Sequence, residues 1–347
     1  MAEYDLTDEG AQWKPRTLKD AYLDREPTVY IVDKFFASHS LNVIYGAPGV
    51  MKSMLMADMC ACIASKNHDW LPGSGEYSDG IPVKNGSPVF WLDMDNGTRR
   101  TDERFSAMGK QRKMPDDSPL YYLSMPYPSF DASDQESFAY LMEMIEVVEA
   151  RLVVIDNLAL STGSVEENSA QMAQIMGGYR ILAERTGAAL VLIHHQRKGG
   201  AGGGRAGDAL RGHSSIEASL DLALHVVREP NTNEVTVRST KTRGVDVPMV
   251  TARFNYEHVM GTNDLSLAWF DGVPVIRGDS PIRDAIIDTL TMQDGITKGL
   301  LADMVHERLK SEVGINKIRN MIMDMIDATG ELVLKTGKHN AKIIYIA

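Results

Sequence analysis

The sequence predicts an α/β protein with a central, mostly parallel sheet, followed by a small α+β unit at the C-terminus. Two observations carry the prediction for the larger part. Short apolar runs alternate with helical patterns from residue 41 to about 255, which is typical of parallel strands joined by crossover helices. The first run, Leu41 to Tyr45, leads directly into a glycine-containing turn that is followed by a lysine and a serine.

Seven apolar runs have the length and residue types of strands. They are Leu41 to Tyr45, Val89 to Leu92, Leu152 to Ile155, Ala189 to Ile193, Leu222 to Val227, Val235 to Ser239 and Val250 to Asn255. Because the last three lie close together, we expect them to pair as antiparallel neighbours. Helical patterns fill the earlier gaps, at Ser53 to Ser65, Arg99 to Met108, Asp134 to Ala150 and Ala170 to Thr186. The glycines and prolines of residues 66–87 predict a surface insertion.

The pattern changes after Gly278. Helices are predicted at Ile282 to Met292, Lys298 to Leu309 and Ile315 to Ala328, followed by a hairpin of Glu331 to Lys335 and Lys342 to Ile346. Three short helices and a two-stranded wing form a winged-helix arrangement. We therefore predict an N-terminal extension at residues 1–27, an α/β core at 28–278 and a winged-helix-like domain at 279–347.

The composition excludes several classes of protein. The 347 residues carry a formal net charge of −11 with a pI near 5.3, so the chain is no polycationic coat of nucleic acid, and any contact must come from local basic loops. Cys60 and Cys62 lie on one predicted helix and are interpreted as buried reduced thiols. No apolar run approaches the ~20 residues that span a bilayer, and the N-terminus is acidic rather than signal-like. We expect a cytoplasmic protein without membrane contact.

Residues 46–53 form the first candidate site. They read Gly46-Ala47-Pro48-Gly49-Val50-Met51-Lys52-Ser53 and directly follow the first strand. In a phosphate-binding loop the backbone N–H groups converge on phosphate oxygens, the lysine adds a charge at the β- and γ-phosphates, and the serine hydroxyl can ligate Mg2+. The strict pattern has glycine where Met51 stands, and we expect Met51 to aim its N–H at phosphate with a negative φ. The segment predicts a nucleotide site.

Three further strands end in polar side chains at one edge of the predicted sheet, the edge where ligands of parallel α/β sheets bind. Asp156 ends an apolar strand as in a Walker B motif and would hold the Mg2+ shell through water. Asp93 and Asp95 end a second strand, and His194 and His195 end a third. Taken alone, the acids are better explained as residues that start or cap a helix, and the histidines as structural residues; the phosphate-binding loop upstream reverses that preference. A metal site at the histidines is disfavoured, because no Cys, Asp or Glu stands at a suitable spacing.

Basic residues occur at two later places. Lys241 and Arg243 stand at i and i+2 near the end of a late strand and share one face, where a solvated basic turn is the alternative interpretation. The glycine-rich segment Lys198 to Gly212 is predicted to be a mobile loop. Its cations and their neighbours are candidate contacts to the backbone of single-stranded nucleic acid. These residues are Arg197, Lys198, Arg205 and Arg211. Since the loop contains no aromatic residue, base stacking is not expected.

In chain order these motifs resemble the RecA-like P-loop ATPases of the DnaB/RepA replicative-helicase group, over roughly residues 28–255. The resemblance implies ATP hydrolysis with Mg2+ in a homo-oligomer, typically a hexameric ring, with ATP at the subunit junctions and single-stranded DNA in the channel. By position it makes Asp95 the general base, with Asp93 the second choice, although glutamate is usual there. It makes His195 the sensor of the γ-phosphate, and Lys241 and Arg243 become fingers that reach a neighbour's γ-phosphate.

The C-terminal unit offers a second nucleic-acid candidate. Lys317 and Arg319 lie early on its third helix, and further lysines lie on or beside the wing. Residues 281–347 carry nine basic and nine acidic side chains, so docking of replication or recombination proteins is an equally open role.

We therefore predict an ATP-hydrolysing, DNA-binding motor of the RepA/DnaB helicase type that acts on single-stranded DNA in replication or recombination. The first alternative is a non-helicase RecA-like recombination protein, loader or regulatory ATPase. The second is a transcription regulator that reads duplex DNA through the winged helix.

Overall fold

The computed structural model describes residues 15–73, 79–163, 165, 170–195, 214–229, 232–273, 281–293, 295–309, 313–327, 331–336 and 342–346. The contacts divide the chain into two units, Met1–Pro274 and Val275–Ala347. Within the described residues, no helix combines the length and the apolar character that a membrane crossing requires.

The first unit contains eleven strands and seven helices among its described residues. The strands are β1 (Tyr30–Val32), β2 (Phe36–Ala37), β3 (Leu41–Gly46), β4 (Val89–Asp93), β5 (Leu120–Ser124), β6 (Leu152–Asp156), β7 (Ala189–His195), β8 (Leu222–Arg228), β9 (Glu234–Thr242), β10 (Val250–His258) and β11 (Leu265–Val273). The helices are α1 (Leu18–Ala21), α2 (Lys52–Ala64), α3 (Thr98–Gln111), α4 (Gln135–Val147), α5 (Leu158–Ser161), α6 (Ala170–Thr186) and α7 (Ser214–Ser219).

Nine of these strands form one sheet in the order β11-β10-β9-β8-β3-β7-β6-β4-β5. Neighbours from β8 to β5 run parallel, and β9, β10 and β11 extend the sheet with antiparallel pairs. This confirms the predicted α/β class and the antiparallel pairing of the late strands. The strand β7 lies between β3 and β6 in the sheet. All three strands therefore bring their carboxyl ends to one edge.

The parallel strands are buried on both faces, which explains why they read as continuous apolar runs. On β3 the side chain of Ile44 packs with α2, whereas Val43 and Tyr45 pack in a second apolar cluster with α4 and α6. The prediction of a surface insertion at residues 66–87 is wrong in part, because Trp70 and Ile81 are fully buried in the first cluster. Burying one such large side chain stabilises a fold by about 1.5–3 kcal/mol. Trp70 and Ile81 therefore anchor this segment in the core despite its glycines and prolines.

The second unit has its own small core. Its elements are α8 (Pro281–Met292), β12 (Ile296–Thr297), α9 (Lys298–Arg308), α10 (Ile315–Asp327), β13 (Leu332–Thr336) and β14 (Lys342–Ile346). The predicted helices and hairpin are confirmed, and β12 adds a third strand in the sheet order β12-β14-β13. The core is formed by buried aliphatic side chains such as Ile286, Leu301, Ile322 and Ile344. Assignment of this unit as a winged helix stays a prediction.

Candidate nucleotide-binding site

The turn after β3 has the features of a loop that wraps around an anion. Gly46 is buried, and a Cβ added to it would lie 2.4 Å from the carbonyl oxygen of Val226. Gly49 has open space around it but adopts a φ of +80°, which glycine reaches without penalty. Ala47 and Pro48 between them are exposed. The two glycines are thus required for different reasons, room at position 46 and backbone conformation at position 49.

Met51 shows how the loop tolerates its departure from the strict pattern. Its φ is +67° and its ψ is 22°, in the left-handed region, directly before α2. The expectation of a negative φ is therefore wrong, and Met51 has the conformation that a glycine would adopt. A residue with a side chain pays roughly 1–2 kcal/mol for that conformation. The Met51 side chain packs partly buried against the apolar cluster beneath α2, which offsets part of this penalty.

Lys52 is buried and held by its own loop. Its Nζ donates to the carbonyl oxygens of Gly46 and Ala47, at 3.0 and 2.9 Å, and lies 3.2 Å from Nδ1 of His195. Burial lowers the pKa of Lys52 to about 8, against the opposing attraction of Asp156. An ammonium held by carbonyl partners is well placed to exchange them for phosphate oxygens, which carry negative charge.

Asp156 ends β6 next to the start of α2, and it is fully buried. Burial raises its pKa to about 6, although the Ser53 hydroxyl and the Arg104 guanidinium both lower it. Its Oδ2 accepts a hydrogen bond from Asn96 at 3.1 Å, whereas no described residue donates to Oδ1. A buried carboxylate oxygen that lacks a partner, beside a serine hydroxyl, fits the oxygen ligands that Mg2+ prefers. Asp156 and Ser53 would hold that ion.

Asp93 cannot serve as the base that the sequence left as a second choice. It is fully buried, and its oxygens accept hydrogen bonds from the hydroxyls of Thr101 and Ser124 and from the backbone N–H groups that follow β4. Burial alone would raise its pKa, but these hydrogen bonds together lower the pKa to about 2. A carboxylate with its lone pairs occupied in this way organises the turn, and it does not accept a proton from water.

Asp95 lies at the open end of the same turn, with a side chain that is 44% exposed. Its Oδ2 accepts a hydrogen bond from Asn157 Nδ2 at 3.3 Å and lies 3.8 Å from His195 Nε2. Since an ammonium offers only donors, the Nδ1 that faces Lys52 must accept, and a neutral imidazole then carries its proton on Nε2, towards Asp95. The structure therefore brings Lys52, His195 and Asp95 together in one row. The neighbouring His194 is buried on the other face of β7.

Lys241 and Arg243 lie at the opposite edge of the sheet. The backbone N–H of Arg243 bonds to the carbonyl of Asp221, whose own N–H bonds to Leu41 at the start of β3. The phosphate loop begins five residues further along that strand, which is about 17 Å at strand spacing. Neither cation reaches the phosphate loop of its own chain. Their head groups donate instead to backbone carbonyls of α7, from Lys241 to Glu217 and from Arg243 to Ala218.

The candidate nucleic-acid contacts fall into two groups. Arg197, Lys198, Arg205 and Arg211 lie outside the described residues. In the second unit, Lys317 and Arg319 are exposed on the first turns of α10, on either side of the buried Ile318. Their side chains are thus presented to solvent, as a contact with phosphate requires.

Three site residues escaped the sequence analysis, namely Asn96, Arg104 and Asn157. Asn96 and Asn157 each follow a strand-end acid directly, and their amides hydrogen-bond to acids of the other strand. Arg104 lies on α3 with its NH1 3.9 Å from Asp156. The sequence did indicate the two asparagines, because a side-chain amide next to a strand-end carboxylate can donate a hydrogen bond to a carboxylate. Arg104 had no such signal, since α3 carries many charged residues.

Comparison with known proteins identifies a family and solved structures that resemble this chain. The family model described as an AAA domain, AAA_25, matches residues 14–201, more than half of the chain. The crystal structure of the RadB recombinase superposes with a TM-score of 0.45 at 14% identity, covering 63% of this chain and 88% of that one.

Proposed function

Because the chain belongs to the AAA_25 family of AAA domains, which are P-loop ATPases, we propose that it is an oligomeric motor of the RepA/DnaB helicase type that hydrolyses ATP on single-stranded DNA. The observation that carries the proposal is the row of Lys52, His195 and Asp95, in which the histidine lies within 3.2 Å of the lysine and 3.8 Å of the carboxylate. The row thereby joins the proposed phosphate contact (Lys52), the sensor (His195) and the general base (Asp95).

Each side chain in the row has one task in hydrolysis. The N–H groups of the loop and Lys52 bind the phosphates and neutralise their charge. Ser53 and Asp156 would hold Mg2+, which would neutralise charge on the phosphates. Asp95, which is partly exposed and accepts from Asn157, orients the attacking water and takes up its proton. His195 contacts the γ-phosphate and senses its departure.

A complete site also needs a second copy of the chain. Lys241 and Arg243 cannot reach the phosphate loop of their own chain, yet they are paired cations at the end of β9, as an inter-subunit finger requires. Contacts of this head-to-tail kind close into a ring when the rotation permits. We place these two residues at the neighbour's γ-phosphate in a homo-oligomer, probed below by mixing subunits.

The first experiment measures ATP hydrolysis with and without single-stranded DNA. We expect stimulation by DNA in the wild type and loss of hydrolysis in Lys52→Ala, because Lys52 contacts the phosphates. Lys66→Ala is the matched control, since Lys66 is exposed just beyond α2, and it should retain activity. Robust hydrolysis that ignores every nucleic acid would contradict the proposed motor.

The second experiment mixes two inactive variants. Lys52→Ala subunits keep the finger and lose the phosphate contact, whereas Arg243→Ala subunits keep the phosphate contact and lose the finger. In an equal mixture about a quarter of junctions combine an intact pocket with an intact finger, because the two parts of a head-to-tail interface come from different subunits. We expect activity to recover to about that fraction. An inactive mixture that still assembles would show that Arg243 acts only within its own chain.

DNA contact is assigned to the basic group of Arg197, Lys198, Arg205 and Arg211, and a second contact to Lys317 and Arg319. A Lys317→Ala/Arg319→Ala variant separates the two. If the second unit binds DNA, the variant should lose affinity and the slope of affinity against salt should fall by roughly one per lost phosphate contact. Unchanged affinity and slope would leave protein docking as the role of this unit.

A further inference from the structure

Arg104 is a cation of the site that the proposed hydrolysis mechanism does not yet use. Its side chain projects from α3 and is only 11% exposed. The NH1 group lies 3.9 Å from Asp156 Oδ2, close enough for charge attraction but too far for a hydrogen bond. The NH2 group donates to Asn96 Oδ1 at 3.3 Å. The guanidinium is therefore held at the edge of the Mg2+ position.

The guanidinium is also poorly satisfied where it lies. Among the described residues, neither Nε nor NH1 of Arg104 has a hydrogen-bond acceptor. A guanidinium carries five N–H donors, and burying them without acceptors is unfavourable. Attraction to Asp156 explains why the side chain stays there in the free chain. These unused donors suit a ligand with several acceptor oxygens.

The side-chain amide of Asn96 orients the carboxylate of Asp156. Its Nδ2 donates to Asp93 Oδ1 and to Asp156 Oδ2, both at 3.1 Å. Asn96 and Arg104 thus both face Oδ2 of Asp156. The other oxygen, Oδ1, is buried without a partner among the described residues. The carboxylate is turned so that one oxygen meets Arg104 and the other is left for the metal shell.

We propose that Arg104 is a catalytic residue that exchanges partners, from Asp156 to the oxygens of the terminal phosphoryl group when the nucleotide and the Mg2+ that Asp156 would hold are bound. The proposal rests on the ATPase function proposed above. A cation held by Asp156 would supply the positive charge that this carboxylate loses when the guanidinium turns away. A planar fork of N–H groups then meets phosphoryl oxygens, the geometry for which arginine is suited.

The proposal predicts opposite effects on two measurements. In the free chain Arg104 competes with Mg2+ for Asp156, so Arg104→Gln should lower the Mg2+ concentration that half-saturates binding of fluorescent ADP. The shift should be about fivefold, the factor that one unit charge at ~4 Å contributes at the dielectric constant of water. The same variant should lose roughly 10²- to 10³-fold in kcat with little change in KM, because a transition-state contact is missing.

The binding assay uses no hydrolysis, so it separates this proposal from the proposed function. If the wild type binds ADP with Mg2+ but does not hydrolyse ATP, the function fails while the Mg2+ titration still tests Arg104. Lys110→Gln is the matched control, because Lys110 is an exposed cation on the same helix. It should leave both measurements unchanged.

A merely structural role for Arg104 would weaken Mg2+ binding and activity together. An Mg2+ requirement that is unchanged or raised in Arg104→Gln would therefore overturn the proposal, and so would an unchanged kcat. If Arg104→Gln does not fold, Arg104→Lys replaces it. That variant keeps the charge and loses the planar fork, so it should need Mg2+ like the wild type and still lose kcat at least ~10-fold. A wild-type kcat in Arg104→Lys would also overturn the proposal.

Discussion

Met51 allows a quantitative test of the phosphate-loop geometry. The perturbation is truncation to alanine and, separately, to glycine. Both changes remove the same partly buried side chain beyond Cβ, so the loss of packing cancels in the comparison. What remains is the left-handed conformation at φ +67°, which costs a residue with a Cβ about 1–2 kcal/mol. The greater freedom of glycine in the unfolded chain opposes this by about 0.5–1 kcal/mol. Met51→Gly should therefore be more stable than Met51→Ala by about 0.5–1 kcal/mol.

The assay is urea unfolding followed by tryptophan fluorescence. All four tryptophans lie within Met1–Pro274, so the signal reports on the unit that carries the loop and not on the second unit. Ser106 is the control position, because it is exposed in the middle of α3, where alanine should exceed glycine by about 1 kcal/mol. The sign of the difference should thus invert between the two positions. Equal stabilities at position 51, or a more stable alanine variant, would refute the argument that the loop requires a left-handed residue there.

Three further predictions follow from single contacts. Nucleotide affinity should fall by roughly tenfold per pH unit above about pH 8, because burial lowers the pKa of Lys52 to about 8 in the free chain and the phosphates need the charged lysine. The measurement is the dissociation constant of fluorescent ADP as a function of pH. Lys52→Arg should abolish the dependence. Gly46→Ala should lose about 1–3 kcal/mol in urea unfolding, since its Cβ would lie 2.4 Å from the backbone oxygen of Val226; unchanged stability would contradict the close approach. Arg112→Met should lose about 3–5 kcal/mol by leaving Asp58, which accepts from it at 2.6 Å, buried without its cation, and Asp58→Asn in the same chain should recover part of that loss.

The sequence predicts the buried parallel strands well because burial on both faces leaves an unbroken apolar run. It fails at β5 and β11, the two edges of the sheet. In β5 the residues Tyr121 and Tyr122 are exposed, so neither continuous hydrophobicity nor strict alternation marks the strand. In β11 most residues are half-buried. An edge strand is defined by pairing on one side with a distant segment, and local composition carries little of that information.

The polar site could be placed at the carboxyl ends of the strands, but its internal assignments needed the structure. Asp93 and Asp95 are two residues apart, and the sequence alone cannot show which one the turn after β4 encloses. Hydrogen bonds to Asp93 decide it. Arg104 illustrates a second limit. It lies on a helix whose pattern resembles any solvated charged helix, and its distance to Asp156 distinguishes it.

In the proposed mechanism, nucleotide binding at Lys52 also changes the hydrogen bonding of His195, the sensor. In the free chain Lys52 divides its donors among Gly46, Ala47 and His195. When phosphates draw the lysine away, Nδ1 of His195 would lose that donor, while Nε2 lies 3.8 Å from Asp95. The short side chain of Asp95 matters here. As the proposed base, Asp95 is one methylene shorter than the glutamate usual at this position, so the water that it orients would have to lie closer to the carboxylate.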